Sequence, residues 1–243
     1  MGPAMKGFRF RSFAFRPGLW PSVATLVMVA VTVSLGNWQA RRAEHKLQAQ
    51  EHREERAGAP ALDLPAFPVR AEHFADIPVR ARGEFMPGHT LFLDNKVLRG
   101  VVGYHVLTPL RIAGGNLHVI VNRGWVAAGA RREDLPQVRT PPGEVSLEGV
   151  ALVPARVYYE LGSGTGAGPV VQNLALDRIG ERTGLSLQPI VIYQTSDNGD
   201  GLVRAWERAD SGADTHRGYA LQWYLLAALT TVLYVTYSFR RID

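Results

Sequence analysis

The stretch from residue 17 to residue 40 reads PGLWPSVATLVMVAVTVSLGNWQA and contains no charged side chain. It lies between Arg16 and Arg41, and its 24 residues would extend about 36 Å as an α-helix. That length is enough to cross the hydrocarbon core of a bilayer, which is about 30 Å thick. Trp20 and Trp38 lie near the two ends, where aromatic side chains favour the membrane–water interface. The run predicts a membrane-spanning helix over 17–40.

A second charge-free run of 22 residues, GYALQWYLLAALTTVLYVTYSF, follows Arg217, and it also has Tyr and Trp near its ends. It predicts a second spanning helix over 216–239. For both runs the alternative is a helix buried in a soluble core. The first run could instead be a cleaved signal peptide, although the exit sequence 36–39 (GNWQ) is a poor cleavage site. The acid-free, Arg-rich start also resembles a mitochondrial transit peptide, but it is very short for one.

The net positive charge of the chain lies at its two ends. Residues 1–46 carry a net charge of +6 and residues 216–243 carry +2, whereas residues 47–215 carry −3. A nucleic-acid-binding protein carries a basic stripe on its folded domain, so this distribution disfavours that class. Short basic tails usually remain on the cytoplasmic side. We therefore expect cytoplasmic tails over 1–16 and 240–243.

The same topology rule places the middle of the chain, residues 41–215, outside the cytoplasm. This would be the periplasm of a bacterium, with the helices in the inner (plasma) membrane, or the intermembrane space of a mitochondrion. The chain has 243 residues and no cysteine. It therefore has no disulfide framework, thiolate zinc site, iron–sulfur cluster, c-type haem attachment or cysteine nucleophile.

The middle segment contains two kinds of sequence pattern, one helical and one β-like. Residues 41–57 are helix formers almost throughout and should extend the first helix as a polar helix that ends at Gly58. Beyond Ile77 come short β-like runs separated by turn residues, and one helix is expected over 172–183, ending at Gly184. The strands are predicted over 77–85, 89–95, 101–112, 117–123, 144–153, 188–195 and 202–207. The predicted fold is therefore a membrane protein with two transmembrane α-helices flanking a β-rich domain, an antiparallel sheet or small barrel of α+β type.

Few residues of the middle segment suggest chemistry. Residues 162–168 (GSGTGAG) lack the Lys-Ser/Thr and the following helix of a phosphate-binding loop, so we interpret them as a plain loop. His45 and His52 are about 10 Å apart along a helix, too far to share a metal ion. His105 and His118 lie in predicted strands and are interpreted as packing or surface residues. No nucleophile–base pair of a hydrolase is recognisable.

His216 occupies a more informative position, at the start of the second span and beside Arg217. On a helix, His216 shares a face with Ala220, Trp223 and Ala227, and small side chains there would leave room for a flat group. An imidazole in this position could ligate haem iron axially, and Arg217 could pair with a propionate. The alternative is an ordinary interfacial histidine.

Four stretches, in this order and with a span at each end, resemble the Surfeit-locus-one (Shy-type) family of cytochrome c oxidase assembly factors. They are Gly36-Asn37-Trp38-Gln39-Ala40-Arg41-Arg42, Gly103-Tyr104-His105-Val106-Leu107-Thr108-Pro109-Leu110, Val121-Asn122-Arg123-Gly124-Trp125-Val126, and His216 with Tyr219-Ala220-Leu221-Gln222-Trp223. The resemblance covers nearly the whole chain, from about residue 20 to residue 240.

The resemblance implies a function that the residues alone do not show. Members of this family help to mature the catalytic subunit of haem–copper oxidases and are linked to haem a delivery or stabilisation. The proposed haem ligand of the family corresponds to His216. The implied partners are the catalytic subunit, the lipid bilayer and the haem a synthesis machinery, and no covalent chemistry is required of the chain. A scaffold that holds an oxidase intermediate without any cofactor is the alternative.

Three further residues are candidates for the cofactor site. Arg123, expected at the end of a strand, could bind a carboxylate of a partner, of a haem propionate or of the protein itself. Trp38 and Trp223 could flank a haem edge, although anchoring of the helices in the interface is favoured. The predicted haem-binding residues are therefore His216, Arg217, Trp223, Trp38 and Arg123, with His216 as the iron ligand.

Overall fold

The computed structural model describes residues 13–15, 17–129, 131, 134–154, 168–206 and 212–241. The chain divides into two compact units, one comprising Met1–Glu51 with Ala209–Asp243 and the other His52–Arg208. We call the first the helical unit and the second the β domain. Most of the predicted tail 1–16, residues 162–167 of the glycine-rich loop, residue 207 and residues 242–243 lie outside the described residues.

Helix α1 runs from Leu19 to Ala57 without a break and is 39 residues long. Pro21 is tolerated because it lies in the first turn, where the backbone N–H groups have no intrahelical partner. The predicted polar stretch 41–57 is helical, as its Ala, Glu, Gln and Arg content favours. The helix ends where the Gly58 N–H bonds back to the Glu54 carbonyl.

Helix α4 runs from Ala213 to Ser238, and its end leads into a strand, β10 (Phe239–Arg241), that pairs antiparallel with β1 (Phe13–Phe15). Both α1 and α4 contain an 18-residue stretch long and apolar enough to cross a membrane, and only 11% of each stretch is buried. A core helix of a soluble domain would be mostly buried, so the alternative of buried core helices does not apply. The chain has two membrane-spanning helices.

Within the helical unit, α1 and α4 form an antiparallel pair held by polar side chains. Ser22 Oγ lies 2.6 Å from Tyr234 Oη, and Tyr224 Oη donates to Asn37 Oδ1 over 2.7 Å. Gly36 is required at the crossing, because a Cβ there would lie 2.6 Å from the ring of Tyr224. Interhelical hydrogen bonds and small residues are the usual means of packing helices in a membrane.

The β domain is one eight-stranded sheet with short helices. Its strands are β2 (Leu62–Asp63), β3 (Ile77–Phe85), β4 (Leu91–Leu98), β5 (Val101–Ile112), β6 (His118–Ala127), β7 (Glu144–Leu152), β8 (Val170–Val171) and β9 (Leu187–Gln194). Its helices are α2 (Ala71–Phe74), a 3₁₀ turn (Pro87–His89) and α3 (Leu176–Thr183). The strand order is β2-β3-β7-β9-β6-β5-β4-β8. The end of β3 also pairs with β5, which closes five strands, β3-β7-β9-β6-β5, into a ring.

The ring of five strands corresponds to the small barrel, one of the two alternatives that the sequence predicts, but the sheet is mixed rather than wholly antiparallel. Most pairs are antiparallel, but β2–β3, β4–β8 and β6–β9 are parallel. The β6–β9 pair can be parallel because the connection between these strands is long and contains β7, β8 and α3. Fully buried aliphatic side chains, among them Val79, Leu110, Val121 and Ile192, fill the core.

The predicted strands 77–85 and 101–112 have the observed bounds of β3 and β5, and α3 ends at Gly184 in the left-handed conformation as predicted. Two predictions are wrong. The motif 122–125 does not end a strand, since β6 continues to Ala127 through a register shift between Asn122 and Gly124. Residues 202–206 form only an isolated bridge at Val203, because an ion pair and two left-handed glycines fix an irregular backbone there.

Candidate functional site

His216 lies in the first turn of α4, half-buried, and contacts α1 through Gln39. Its Nδ1 is 2.7 Å from Gln39 Oε1. Because an amide oxygen can only accept, the ring must carry its hydrogen on Nδ1. In a neutral imidazole this leaves the lone pair on Nε2, the nitrogen that could then ligate a metal. The structure therefore adds Gln39 to the candidate site, a residue that the sequence analysis did not assign to it.

A second contact fixes the register of the helices about two turns along α4 from His216. The hydroxyl of Tyr224 donates to Asn37, and the Tyr224 ring lies over Gly36. Gly36 and Asn37 belong to the same short stretch of α1 as Gln39. The stretch 36–39 therefore sets the position of α4 through two hydrogen bonds and one close packing contact.

Arg217 follows His216 and is exposed. Its Nη1 lies 3.4 Å from Asp214 Oδ1, and the side chain is 58% exposed. An exposed ion pair of this kind contributes little to stability, so another carboxylate can replace Asp214 at low cost. The guanidinium is therefore available for an anionic group beside His216.

The two tryptophans are on different helices and differ in exposure. Trp223 is half-buried on α4, and Trp38 is 53% exposed on α1. Among the residues that the structure describes, no aromatic ring contact joins them. Their flanking of a haem edge and their anchoring in the membrane interface stay predictions.

The expectation of an open slot along α4 is wrong. Ala220 and Ala227, which share a face with His216, are 5% and 6% exposed within the helical unit. Since His216 on that face contacts Gln39 of α1, the small side chains serve helix packing. A flat group could therefore lie only beside the start of α4 and not along the alanine face.

Arg123 is in the β domain and is fully buried. Its guanidinium donates to Thr140 Oγ1, to the Arg139 carbonyl and to Asp200, whose carboxylate lies 3.0 Å away. The ring of Phe85 lies 5.0 Å from the guanidinium carbon. Burial lowers the pKa of Arg123, whereas Asp200 acts in the opposite direction. Of the three carboxylates considered for Arg123, the structure shows the protein's own, and the side chain does not fit a haem propionate.

Asp200 is the centre of this buried network. Its side chain is fully buried and also accepts from Arg204 at 2.7 and 2.8 Å. Sequence reasoning missed this residue because Asp200 is 77 positions from Arg123 and lies in a glycine-rich loop of ordinary appearance. The network attaches the segment after β9 to strand β6.

A second cluster in the β domain contains His105. Its Nδ1 accepts from Asn122 Nδ2 over 3.2 Å, and its ring contacts the rings of Tyr193 and Trp206 edge to face. Burial, with a smaller contribution from Lys96, lowers the pKa of His105 to about 4. His105 is therefore neutral at pH 7. His118 is 7% exposed, so of the two interpretations given for these histidines, packing or surface, the structure shows packing.

The SURF1 family matches residues 26–228, which is most of the chain. The chain belongs to the SURF1 family. It is similar to Surfeit locus protein 1 of Rattus norvegicus, 26% identical over 236 residues that cover 89% of this chain and 75% of the rat protein. The mouse protein of the same name gives the same identity and coverage. The SURF1-like protein of Caenorhabditis elegans is 22% identical over 246 residues, covering 90% of this chain and 74% of that protein.

The SURF1 match confirms the resemblance drawn from the four motif stretches. The matched range includes every residue discussed at the candidate site: Trp38, Gln39, Arg123, His216, Arg217 and Trp223. In this SURF1-family chain the first and fourth motifs meet at the Gln39–His216 contact. The second and third motifs meet in the β5–β6 pair, where Asn122 bonds His105.

Proposed function

We propose that this SURF1-family protein is an assembly factor for cytochrome c oxidase, held in the membrane by α1 and α4. The observation that carries the proposal is the family match over residues 26–228. In this role the chain binds and positions its partners and catalyses no covalent step. Its principal partner is the catalytic subunit of the oxidase.

Haem a is the proposed cargo, and His216 is its proposed ligand. The support comes from the hydrogen bond between Gln39 Oε1 and His216 Nδ1, which leaves the Nε2 lone pair for a metal. When bound, haem a would supply an iron ion, and the His216 imidazole would be its protein ligand. The half-buried position of His216 at the start of α4 suits transient binding, because a cargo must be able to leave.

The surrounding residues suit this cargo unequally. Exposed Arg217 can pair with a propionate, and half-buried Trp223 can lie against a ring edge. Trp38 remains a candidate on α1. Arg123 is excluded from this role because its guanidinium is fully buried in the β domain and is paired there with Asp200, Thr140 and the Arg139 carbonyl. The haem a synthesis machinery is the proposed donor of the cargo.

The proposed location is the inner membrane of a bacterium, with the β domain in the periplasm, or the mitochondrial inner membrane of a eukaryote. The support is the charge distribution, since the tails before α1 and after α4 are basic while the intervening segment is mildly acidic.

The visible spectrum of the detergent-purified protein, co-expressed with haem a synthesis enzymes, tests the cargo. We expect a haem a Soret band in the wild type and its loss in His216→Ala. His45→Ala is the matched control, because His45 is an exposed histidine of α1 and should leave the band unchanged. An unchanged band in His216→Ala would contradict the ligand assignment. A colourless wild type that still co-purifies with the oxidase subunit would instead support the cofactor-free scaffold.

A further inference from the structure

The hairpin between β4 and β5 has an unusual tip. Arg99 and Gly100 have φ values of 50° and 82°, as a two-residue hairpin turn of the primed type requires. In register, Leu98 lies opposite Val101 and Val97 lies opposite Val102. Residues directly opposite each other in an antiparallel pair share a face. The tip therefore carries an apolar pair on each of its two faces.

These side chains are not covered by the β domain. Val97, Val101 and Val102 are 52%, 51% and 53% exposed, and Leu98 is half-buried. A hairpin with one face on a core and one face in water alternates apolar and polar residues. Here the alternation is absent, because two successive residues on each strand are apolar. A tip that is apolar on both faces is suited to insertion into an apolar medium rather than to packing on one side.

The base of the hairpin is fixed, so the tip is presented by a rigid stem. Trp125 of β6 donates from Nε1 to the Lys96 carbonyl over 2.9 Å. Its ring occupies the space above Gly103, where a Cβ would lie 2.6 Å from ring atoms. A bulge between Leu93 and Lys96 bends β4 at the same level. Two family motifs, those containing Gly103 and Trp125, thus hold the stem.

The charge of the hairpin differs from that of the domain. Residues 95–105 contain Lys96 and Arg99 and no Asp or Glu, whereas residues 47–215 together carry a net charge of −3. Arg99 is exposed at the turn itself. Cations beside apolar side chains match the anionic headgroups and acyl boundary of a bilayer surface. Because a membrane-spanning helix lies on each side of the β domain in the chain, the domain is tethered to a bilayer.

We propose that the tip of the β4–β5 hairpin inserts into the interface of a bilayer that contains anionic lipid. Val97, Leu98, Val101 and Val102 enter the acyl boundary, and Lys96 and Arg99 contact the headgroups. The hairpin is then a third membrane contact, additional to the two spans and independent of any cofactor.

The absence of cysteine allows a clean test with the full chain. Val101→Cys and, separately, Asn116→Cys are labelled with an environment-sensitive fluorophore and reconstituted into phosphatidylcholine–phosphatidylglycerol vesicles. Asn116 is exposed in the turn that follows β5, at the end of the strand opposite the hairpin tip, so it is a matched control in the same domain. We expect brominated acyl chains to quench the label at residue 101 several-fold more than the label at residue 116. Equal quenching at the two positions, or none at either, would overturn the proposal.

Two variants separate the apolar and charged contributions. In the Val101→Cys background, Val97→Thr with Val102→Thr keeps β-branched strand residues and should reduce quenching. Arg99→Asn removes a cation and places a favoured residue in the turn, so it should preserve the hairpin while lowering quenching only in anionic vesicles. Quenching unaffected by these variants would contradict the assignment. A spectral shift that depends on protein density and not on bromine would show contact with a second copy and would also overturn it.

Discussion

A single hydrogen bond to Gln39 fixes the tautomer and the orientation of the His216 ring. Replacing Gln39 by Leu removes the acceptor for the Nδ1 hydrogen, so both tautomers become accessible and the ring loses its orientation. Loss of such a supporting partner weakens a metal site by about 10–100-fold. We expect Gln39→Leu to weaken haem retention by that factor, whereas Gln39→Glu, which keeps an acceptor oxygen, should retain it.

The ¹⁵N chemical shifts of the His216 ring provide a measurement that needs no haem. In the cofactor-free wild type they should report hydrogen on Nδ1, and in Gln39→Leu they should show a tautomer mixture. Unchanged shifts in Gln39→Leu would refute the positioning role even if haem binds. If the shifts change in Gln39→Leu as expected but the wild type binds no haem, the positioning role of Gln39 stands and the proposal that haem a is the cargo is refuted.

The location of His216 at the start of an apolar run made it recognisable from sequence, but its partner was not. Gln39 and His216 are 177 residues apart, and only the packing of two helices brings them together. The one available signal was that each lies in a family motif at a membrane boundary. The prediction that Arg123 binds the cofactor is wrong for a different reason. An arginine in a strand motif gives no indication of whether the carboxylate that it pairs with belongs to the protein or to a ligand.

His105 makes the stability of the β domain dependent on pH. Burial lowers its folded-state pKa to about 4, below the unfolded value of about 6.5. The unfolded chain therefore binds a proton that the folded chain excludes, and the unfolding free energy decreases as the pH falls from about 6.5 to 4. Relative to its value below pH 4, the unfolding free energy gains at most about 3 kcal/mol from neutral His105. This gain is fully present above about pH 6.5.

Thermal unfolding of the full chain between pH 7 and pH 4 measures this dependence. We expect a steeper fall of the midpoint for the wild type than for His105→Gln. His45→Gln, which changes an exposed histidine of α1, should follow the wild type. Parallel pH profiles for His105→Gln and the wild type would contradict the prediction.

At the scale of elements, the sequence predicts strands better than their arrangement. The apolar runs in the sequence predict β3 and β5 with their observed bounds. They do so because each buried position of a strand carries an apolar residue that the sequence shows directly. Parallel pairing of β6 with β9 depends on a long connection and leaves no local pattern. The segment 202–206 has the composition of a strand, but Asp200 and its arginines override that preference.

The Asp200 network joins elements, and its removal should loosen them. Asp200→Asn leaves Arg123 as a buried charge without its carboxylate, a change that costs about 3–5 kcal/mol. The expected decrease of the unfolding midpoint is on the order of 10 °C. Thermal denaturation followed by far-ultraviolet circular dichroism measures it.

Asp197 offers a matched control, because it contacts the same Arg204 but is 82% exposed. Asp197→Asn should change the unfolding free energy by less than about 1 kcal/mol. Equal destabilisation by the two substitutions would show that burial of the carboxylate is not what stabilises the segment.

At the scale of the whole molecule, each of the two units contains two of the four family motifs. The first and fourth motifs meet in the helical unit at Gln39 and His216, and the second and third pair in the β domain. The orientation of the chain in the membrane decides which compartment that domain reaches.

The distribution of charge predicts this orientation. The tail before α1, residues 1–16, holds Lys6, Arg9, Arg11 and Arg16 and no acidic residue, and Arg240 and Arg241 follow α4, so translocation of either tail is disfavoured. The segment between the spans is long enough to translocate regardless of its charge. In intact cells, a membrane-impermeant maleimide should label Asn116→Cys, in an exposed turn of the β domain, but not Gly7→Cys in the basic tail. Gly7→Cys should react only after permeabilisation, and both variants can be read cleanly because the native chain has no thiol. The reverse labelling pattern would place the β domain in the cytoplasm and would remove the charge argument for the proposed location.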